Sequence, residues 1–238
     1  MVIESTVMKD LIERASVSLA EILVPSAGGL IKSGTGFAIS ADGRCATCMH
    51  VLGSISELHV QFWGTGKVAK AEIVKWDADH DLAILSTGQS LRPLPLGEFS
   101  QIDIGEDVVW GGFPLEVWVP SFHKGMVSFK GGMRLPQLKG EIEALQLDGT
   151  MNRGNSGGPI IDPRDGRVVG IVSSSMGAIN EDLAAITQRQ KEFGTVAIVG
   201  VDPIAVFKMI ITDMDRHLQL GVGYGISVDY LSKLVARP

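Results

Sequence analysis

Ser156 is the residue of this sequence whose surroundings best suit covalent chemistry. It lies in the stretch MNRGNSGGPIID, residues 151–162, with glycines close on both sides. A serine hydroxyl is a weak nucleophile until a base removes its proton, and that base needs a third group to hold its tautomer. A set of this kind performs acyl transfer. A histidine and a carboxylate must therefore fold beside Ser156 if it is to react.

Two catalytic patterns fit the run GNSGG at residues 154–158, and they differ in the order of the partners along the chain. G-x-S-x-G, the strand–turn–helix elbow of α/β-hydrolases, requires the acid and then the histidine after the serine. Of the five histidines only His217 follows Ser156, in a helix-like segment without a loop signal. The second pattern has the order His–Asp–Ser. His50, at the end of a short strand, and Asp81, at the start of DLAILS, fit this order. Order and context favour this second pattern.

The elements that must position these residues have the pattern of short β-strands. Runs rich in valine, isoleucine and aromatic residues, such as GTGFAIS, ELHVQFW and RVVGIVSSS, follow one another between glycine-rich turns. Many short strands at this spacing predict an all-β barrel or sandwich. Up to residue 175 the strands do not alternate with helices, which argues against the βαβ units of an α/β-hydrolase. A connection containing two prolines and a glycine places a lobe boundary near residues 90–105.

Two segments depart from the strand pattern. Apolar residues recur at roughly helical spacing from Val7 to Leu23, which predicts an N-terminal helical segment within residues 1–32. Packing of this helix on the body is the favoured interpretation, and self-association through it is the alternative. Residues 176–221 have the pattern of a helical insertion, with Asn180 as a candidate N-cap and Gly221 as a stop. This insertion is expected either to lie beside the cleft and limit access to it, or to be a surface segment without a role at the site.

Composition and charge limit the classes of binding partner that we expect. Apolar residues make up 45% of the chain and charged residues 20%, which is ordinary for a well-packed globule. The net charge is −6, and no Lys/Arg cluster is present to attract a phosphate backbone, so nucleic acid is not expected as a partner. No apolar run is long enough to cross a bilayer, and the N-terminus does not have the pattern of a signal peptide. Membrane binding is therefore not expected either.

The two cysteines, Cys45 and Cys48, stand three positions apart. In a strand they would point to opposite faces, so we expect two small buried residues and no mutual disulfide. A secreted protein of this size usually carries several disulfides, and their absence predicts a reducing compartment, the cytoplasm. A structural zinc site needs four ligands, and the chain has no second Cys pair. We expect no metal and no organic cofactor.

Several segments taken together resemble the protease domain of HtrA/Deg-type serine peptidases, within the trypsin-like superfamily. They are SGTGFAIS with CATCMHV, DHDLAIL, VVWGGFPLEVWVPSFHKGMVSF, LQLDGTMNRGNSGGPIID, GRVVGIVSS and GYGISVDYLSKLV. The resemblance covers most of residues 33–175 and resumes at about 221–235. It implies a double six-stranded antiparallel β-barrel of the chymotrypsin/trypsin type, with an N-terminal lobe at 33–100 and a C-terminal lobe at 101–238.

The resemblance also implies roles for the candidate residues. Ser156 would be the nucleophile, His50 the general base and Asp81 the acid that orients it. The oxyanion hole is expected in Gly154, Asn155 and Ser156, with the backbone N–H groups of Gly154 and Ser156 as its donors. Such a site performs peptide hydrolysis through an acyl-enzyme and needs no cofactor.

Other acidic residues compete with Asp81 for the role of orienting acid. Asp77 and Asp79 lie close by in the sequence, but Asp81 directly precedes the apolar run, as in the family motif. His80 is expected to be a solvated neighbour of the acid.

Four further residues are expected to contact substrate. Counting back from the nucleophile, Thr150 occupies the position that carries aspartate in relatives that cleave after arginine or lysine. A neutral threonine would leave a basic side chain buried without compensation, so we expect cleavage after small or medium apolar residues. Ser173, Ser174 and Ser175 resemble the strand that pairs with the substrate backbone, and an edge strand without a ligand is the alternative.

The chain departs from the HtrA pattern in three respects. We expect no PDZ-like segment after Pro238, the insertion 176–221 is additional, and the first aromatic residue is Phe37. HtrA-type trimers are typically held by N-terminal aromatic residues, so an oligomer is expected to be of another kind. Peptides or unfolded proteins are the expected substrates. A latent or non-catalytic module that binds peptides or a partner is the alternative function, and an esterase is a more distant one.

Overall fold

The computed structural model describes residues 5–53, 57–114, 117–135, 138–173 and 221–237, together with Val206 and Met209. The predicted insertion at 176–221 therefore lies almost wholly outside the described residues. The helices are α1 (Ser5–Ser16), α2 (Met49–Leu52) and α3 (Val228–Ala236), and a 3-10 turn spans Phe99–Gln101. The first six strands are β1 (Leu19–Ser26), β2 (Gly29–Ala38), β3 (Arg44–Cys48), β4 (Leu58–Phe62), β5 (Val68–Asp77) and β6 (Leu82–Ser86). The next six are β7 (Asp107–Gly112), β8 (Ser121–Arg134), β9 (Glu141–Asp148), β10 (Pro159–Ile161), β11 (Val168–Val172) and β12 (Val222–Ser227).

These strands close into two antiparallel barrels, as the sequence predicts. The first has the order β1-β2-β3-β6-β5-β4, and the second has the order β10-β11-β12-β9-β8-β7. Alternation in β4 shows how the chain fills a barrel, because Leu58, Val60 and Phe62 point inward and the residues between them are half-buried. Closure pairs both edges of each sheet and so removes the exposed strand edges on which other chains could pair.

The predicted N-terminal helical segment was wrong in its extent. Helix α1 ends at Ser16, and from Leu19 the chain runs as β1, which pairs with both β2 and β4. The first six residues of β1 are all buried, so this strand lacks the alternation that marks a half-exposed strand. The first barrel therefore begins at about residue 19 rather than at residue 33, and α1 packs onto it through Leu11 and Ala15.

The prediction that the two cysteines are buried and not joined in a disulfide is confirmed. Cys45 and Cys48 are both free and both fully buried in the first barrel. Burial raises the pKa of the Cys45 thiol to about 12. Such a thiol stays protonated and behaves as a small apolar side chain.

Helix α3 crosses from the second barrel to the first and contacts the turn that precedes β6. The Tyr230 ring stacks on His80 with 3.8 Å between centroids, and an Arg237 guanidinium nitrogen lies 2.7 Å from Asp77 Oδ2. Asp77 Oδ1 lies 2.9 Å from His80 Nδ1. His80 is therefore not the solvated neighbour that we expected, because α3, which is remote in sequence, covers it.

The Asp77 contacts predict a pH-dependent stability. Burial acts to raise the pKa of the Asp77 carboxyl, but hydrogen bonding and charge from His80, and then from Arg237, outweigh it and hold that pKa below 3.8. A carboxyl with a lowered folded-state pKa stabilises the fold above its unfolded pKa and loses that contribution as pH falls. We expect Asp77→Asn to lower the free energy of unfolding at pH 7 by about 1–2 kcal/mol. The deficit should shrink as pH falls below 3.8.

Urea denaturation of both proteins between pH 7 and pH 2.5 measures this difference. Asp79→Asn is the matched control, because Asp79 is an exposed neighbour in the same turn. A deficit of the same size at every pH would contradict the assignment of the effect to the charged carboxylate.

Candidate active site

His50 lies at the junction of β3 and the one-turn helix α2. β3 ends at Cys48, and α2 begins at Met49, so the chain turns immediately before the imidazole. The ring Nδ1 lies 2.6 Å from Asp81 Oδ2, and the His50 side chain is 37% exposed whereas that of Asp81 is 6% exposed. The imidazole thus contacts a buried carboxylate on one side and is open to the cleft on the other.

Asp81 contacts the backbone around His50 as well as its ring. Its Oδ1 accepts the His50 N–H at 2.9 Å, and its backbone carbonyl accepts the Met49 N–H at 3.0 Å. Among the described residues it is the one non-glycine with a positive φ, at 53°, a left-handed conformation that aspartate tolerates better than most residues. A carboxylate held in this way favours the tautomer with the proton on Nδ1, which leaves Nε2 as the acceptor.

The competing acids do not contact His50 in the described structure. Asp77 binds His80 and Arg237, and Asp79 is exposed. Of the three candidates in this turn, Asp81 is the one whose carboxylate binds His50 among the described residues.

The loop that carries Ser156 is shaped by two glycines in left-handed conformations. The Asn155 N–H donates to Asn152 O at 3.1 Å, and Gly154, third in that turn, has φ 95°. A positive φ at the third position is the mark of a type II turn. In a type I turn this φ is negative, and the peptide between the second and third residues points the opposite way. Gly157 has φ 85°, and its N–H donates to Val172 O at 2.8 Å.

Gly157 also allows this loop to approach the first barrel closely. A Cβ added to Gly157 would overlap Thr35 O and Thr47 Oγ1 and would lie 3.0 Å from Cys48 N. Thr47 and Cys48 form the end of β3, two residues before His50. The fold therefore brings the Ser156 loop against the strand end that carries His50, at the junction of the two barrels. Ser156 itself is 5% exposed.

The predicted oxyanion residues differ in what their N–H groups do. The Gly154 N–H makes no hydrogen bond within the described part of the chain. The Asn155 N–H is donated to Asn152 O, so in this conformation it is engaged within the loop. The Asn155 side chain is fully buried, and neither of its polar atoms has a partner among the described residues.

The structure describes two of the four predicted substrate-binding residues. Thr150 is half-buried and follows Gly149, whose N–H donates to Gly221 O at 2.8 Å. Ser173 is fully buried, and its N–H donates to Tyr224 O at 2.9 Å, while Ser174 and Ser175 lie outside the described residues.

Met151, which the sequence did not single out, is a neighbour of the predicted substrate-binding residue Thr150. Its side chain packs against the core of the second barrel and occupies the space that a Cβ on Gly223 of β12 would fill. Its position directly after Thr150 in the sequence was the available signal.

Cys48, His50 and Asp81 present donor atoms within 4.8 Å of one another, a spacing that could hold a metal ion. Burial, and then the charge of Asp81, raise the pKa of the Cys48 thiol well above its usual 9.0, so the thiolate that a metal requires is disfavoured. The Cys48 thiol instead donates to Val172 O at 3.4 Å. We interpret the cluster as a His–Asp pair with a structural thiol behind it.

Two closed six-stranded antiparallel barrels define the chymotrypsin-like fold, and a His–Asp pair beside a Gly-Asn-Ser-Gly-Gly loop at their junction is the arrangement of its serine peptidases. The family described as the trypsin-like peptidase domain matches residues 34–171. The chain belongs to this family.

Relatives of known name support an HtrA-type protease domain. Serine protease HTRA4 of Mus musculus is 36% identical over 145 residues, which are 58% of this chain and 29% of that protein. The probable periplasmic serine endoprotease DegP-like of Chlamydia muridarum is 34% identical over 151 residues, 61% of this chain and 30% of that protein. The chain thus spans less than a third of the length of these relatives.

Solved structures support the fold. The HtrA-type protease AlgW with a tripeptide has a TM-score of 0.69 at 21% identity, covering 95% of this chain and 62% of AlgW. Rv3671c from M. tuberculosis H37Rv, in an inactive form, has a TM-score of 0.64 at 20% identity, covering 99% of this chain and 93% of that one. Within the described residues, no helix is both long and apolar enough to traverse a bilayer.

Proposed function

We propose that this chain is a serine endopeptidase that hydrolyses peptide bonds through an acyl-enzyme. The observation that carries the proposal is the 2.6 Å contact between His50 Nδ1 and the buried Asp81 carboxylate, next to the loop of Ser156. The family, and the names of relatives as serine proteases, agree with it.

The proposal assigns a role to each of the three residues. Asp81 accepts a hydrogen bond from the His50 Nδ1–H and stabilises the imidazolium that forms when His50 Nε2 takes the Ser156 hydroxyl proton. The serine oxygen attacks the peptide carbonyl, and His50 returns the proton to the leaving amine. Water then attacks the acyl-enzyme as His50 takes its proton, and His50 returns that proton to the Ser156 oxygen as the acid product leaves.

The oxyanion of each tetrahedral intermediate requires donors that are in place before the reaction. The Gly154 and Ser156 N–H groups are the donors in this proposal. The type II turn supports it, because Gly154 keeps its N–H outside the hydrogen bonds of the loop in the described part of the chain. Donors fixed in advance in a partly buried site contribute strongly to the rate.

Substrates are proposed to be peptides or unfolded proteins cleaved after small or medium apolar residues. Thr150 supplies no charge at its position, and the Met151 side chain beside Gly223 adds an apolar group next to it. A lysine or arginine side chain would lose its hydration there without gaining an ion pair.

Location is proposed from the names of the relatives, and assembly from the burial of Phe37. The periplasmic designation of the DegP-like relatives favours the periplasm over the cytoplasm that the cysteine count predicted. Phe37, the first aromatic residue, is fully buried in the first barrel, so contact between subunits would have to use other residues.

Covalent labelling tests the function. A fluorophosphonate probe should label the wild-type chain at Ser156, as mapped by mass spectrometry, and should leave Ser156→Ala unlabelled. Casein and a peptide library then report peptidase activity and the preferred residue before the cleaved bond. Labelling without peptide cleavage would favour an esterase, and a folded protein that is not labelled would favour the latent or binding module.

A further inference from the structure

The hydroxyl of Thr35 in β2 lies between two loops of the second barrel. Thr35 is fully buried, and its Oγ1 donates to Gly154 O at 2.5 Å. The same oxygen accepts the Phe113 N–H at 2.8 Å. We infer that Thr35 is a positioning residue that sets the orientation of the oxyanion-hole peptides, an assignment that rests on the proposed function.

Thr35 and Asn152 together fix the peptide that follows Gly154. A peptide unit is planar, so two hydrogen bonds at its opposite ends determine how the plane is rotated. The carbonyl of the Gly154–Asn155 unit accepts from Thr35, and its N–H donates to Asn152 O. This unit adjoins Gly154 on its C-terminal side, so it fixes one end of the residue whose N–H, on the preceding peptide, is the proposed donor.

The next two peptides, the one that carries the Ser156 N–H and the one that follows it, are each held at their carbonyl by one backbone hydrogen bond. The Thr35 N–H donates to Ser156 O at 2.9 Å, and Asn155 O accepts the Gly158 N–H at 2.9 Å. Both proposed oxyanion donors thus belong to a short run that Thr35 holds by its backbone and by its side chain.

The niche around Thr35 is formed by glycines. A Cβ on Gly112 would lie 2.9 Å from Thr35 Oγ1, and one on Gly158 would lie 3.3 Å from its Cγ2. Thr35 O accepts the Thr47 hydroxyl at 2.7 Å. Threonine therefore fits a close-packed space, and valine has nearly the same shape without the donor and acceptor.

Thr35→Val and Thr35→Ser separate positioning from packing. Valine leaves Gly154 O and the Phe113 N–H buried without their partner, whereas serine retains the hydroxyl. We expect Thr35→Val to lower kcat for a peptide substrate about 10²-fold with KM within about threefold of wild type. Affinity for a peptide aldehyde, whose adduct places an oxyanion in the hole, should fall in parallel with kcat. Thr35→Ser should restore most of both.

Ser18→Ala is the control for a merely structural effect. It removes another buried hydroxyl of the N-terminal region, which donates to Arg92 O at 2.6 Å, and should leave kcat unchanged. If Thr35→Val cannot be purified folded, Thr35→Cys carries the same expectation with a smaller fall, because a thiol is a weak donor.

The possible results distinguish this inference from the proposed function. An active wild type with a folded, fully active Thr35→Val overturns the role of Thr35 alone. Equal losses in Thr35→Ser and Thr35→Val, or a loss confined to KM, also overturn it. An unlabelled, inactive wild type overturns the proposed function and the role of Thr35 together.

Discussion

Replacing His50 with alanine is expected to lower kcat for a peptide substrate about 10⁶-fold, because no other group then removes the Ser156 proton. The expectation depends on the contact of 2.6 Å between His50 Nδ1 and Asp81, which presents the remaining ring nitrogen to the cleft. KM should change far less than kcat, because the base acts in the chemical step. Steady-state kinetics with the best peptide from the library measure both constants.

His59→Ala is the matched control for removal of an imidazole. His59 lies on β4 of the same barrel, 3.9 Å from Glu57, and does not face His50 or Asp81 among the described contacts. We expect its kcat to stay within about threefold of wild type. A His50→Ala protein that is folded and retains more than about 1% of the activity would show that another group serves as base.

Asp81→Asn is expected to lower kcat about 10⁴-fold with little loss of stability. Asparagine adopts the left-handed conformation that Asp81 has, with φ 53°, so the turn should keep its shape. The backbone carbonyl of residue 81 can still accept the Met49 N–H. What is lost is the negative charge that stabilises the imidazolium and selects the Nδ1 tautomer.

Asp79→Asn tests whether the position of the acid matters. Asp79 is exposed in the same turn, so its replacement removes one negative charge without touching His50. Kinetics and thermal unfolding of both variants distinguish a catalytic effect from a fold effect. An Asp81→Asn protein with a kcat near that of wild type would refute the orienting role, as would an equal fall in Asp79→Asn.

The residues of the candidate site could be predicted because their chemistry restricts their types and local sequence. Gly154 and Gly157 mark the loop, since both adopt positive φ values that residues with a Cβ rarely adopt. His50 and Asp81 stand at strand ends, where polar side chains reach a cleft. The contact between them agrees with that interpretation, although their catalytic roles stay predictions until the variants are measured.

The path of the chain near the N-terminus could not be predicted in the same way. Leu19, Ile22 and Leu23 fit a helical spacing, yet they lie in β1, a strand whose first six residues are all buried. A short apolar run without alternation does not distinguish a buried strand from a buried helix. Pairing with β2 and β4, and not local propensity, decided the outcome.

Residue types and their order along the chain were by themselves enough to indicate the all-β class, the glycine-shaped serine loop and the choice of His50, Asp81 and Ser156. Those features depend on local backbone conformation and on the chemistry of single side chains. Tertiary structure alone decided that Thr35 binds the carbonyl of Gly154 and that helix α3 covers His80. Both are contacts between segments that are far apart in the sequence. The residues around a hydroxyl or an aromatic ring do not predict which distant residue it will contact.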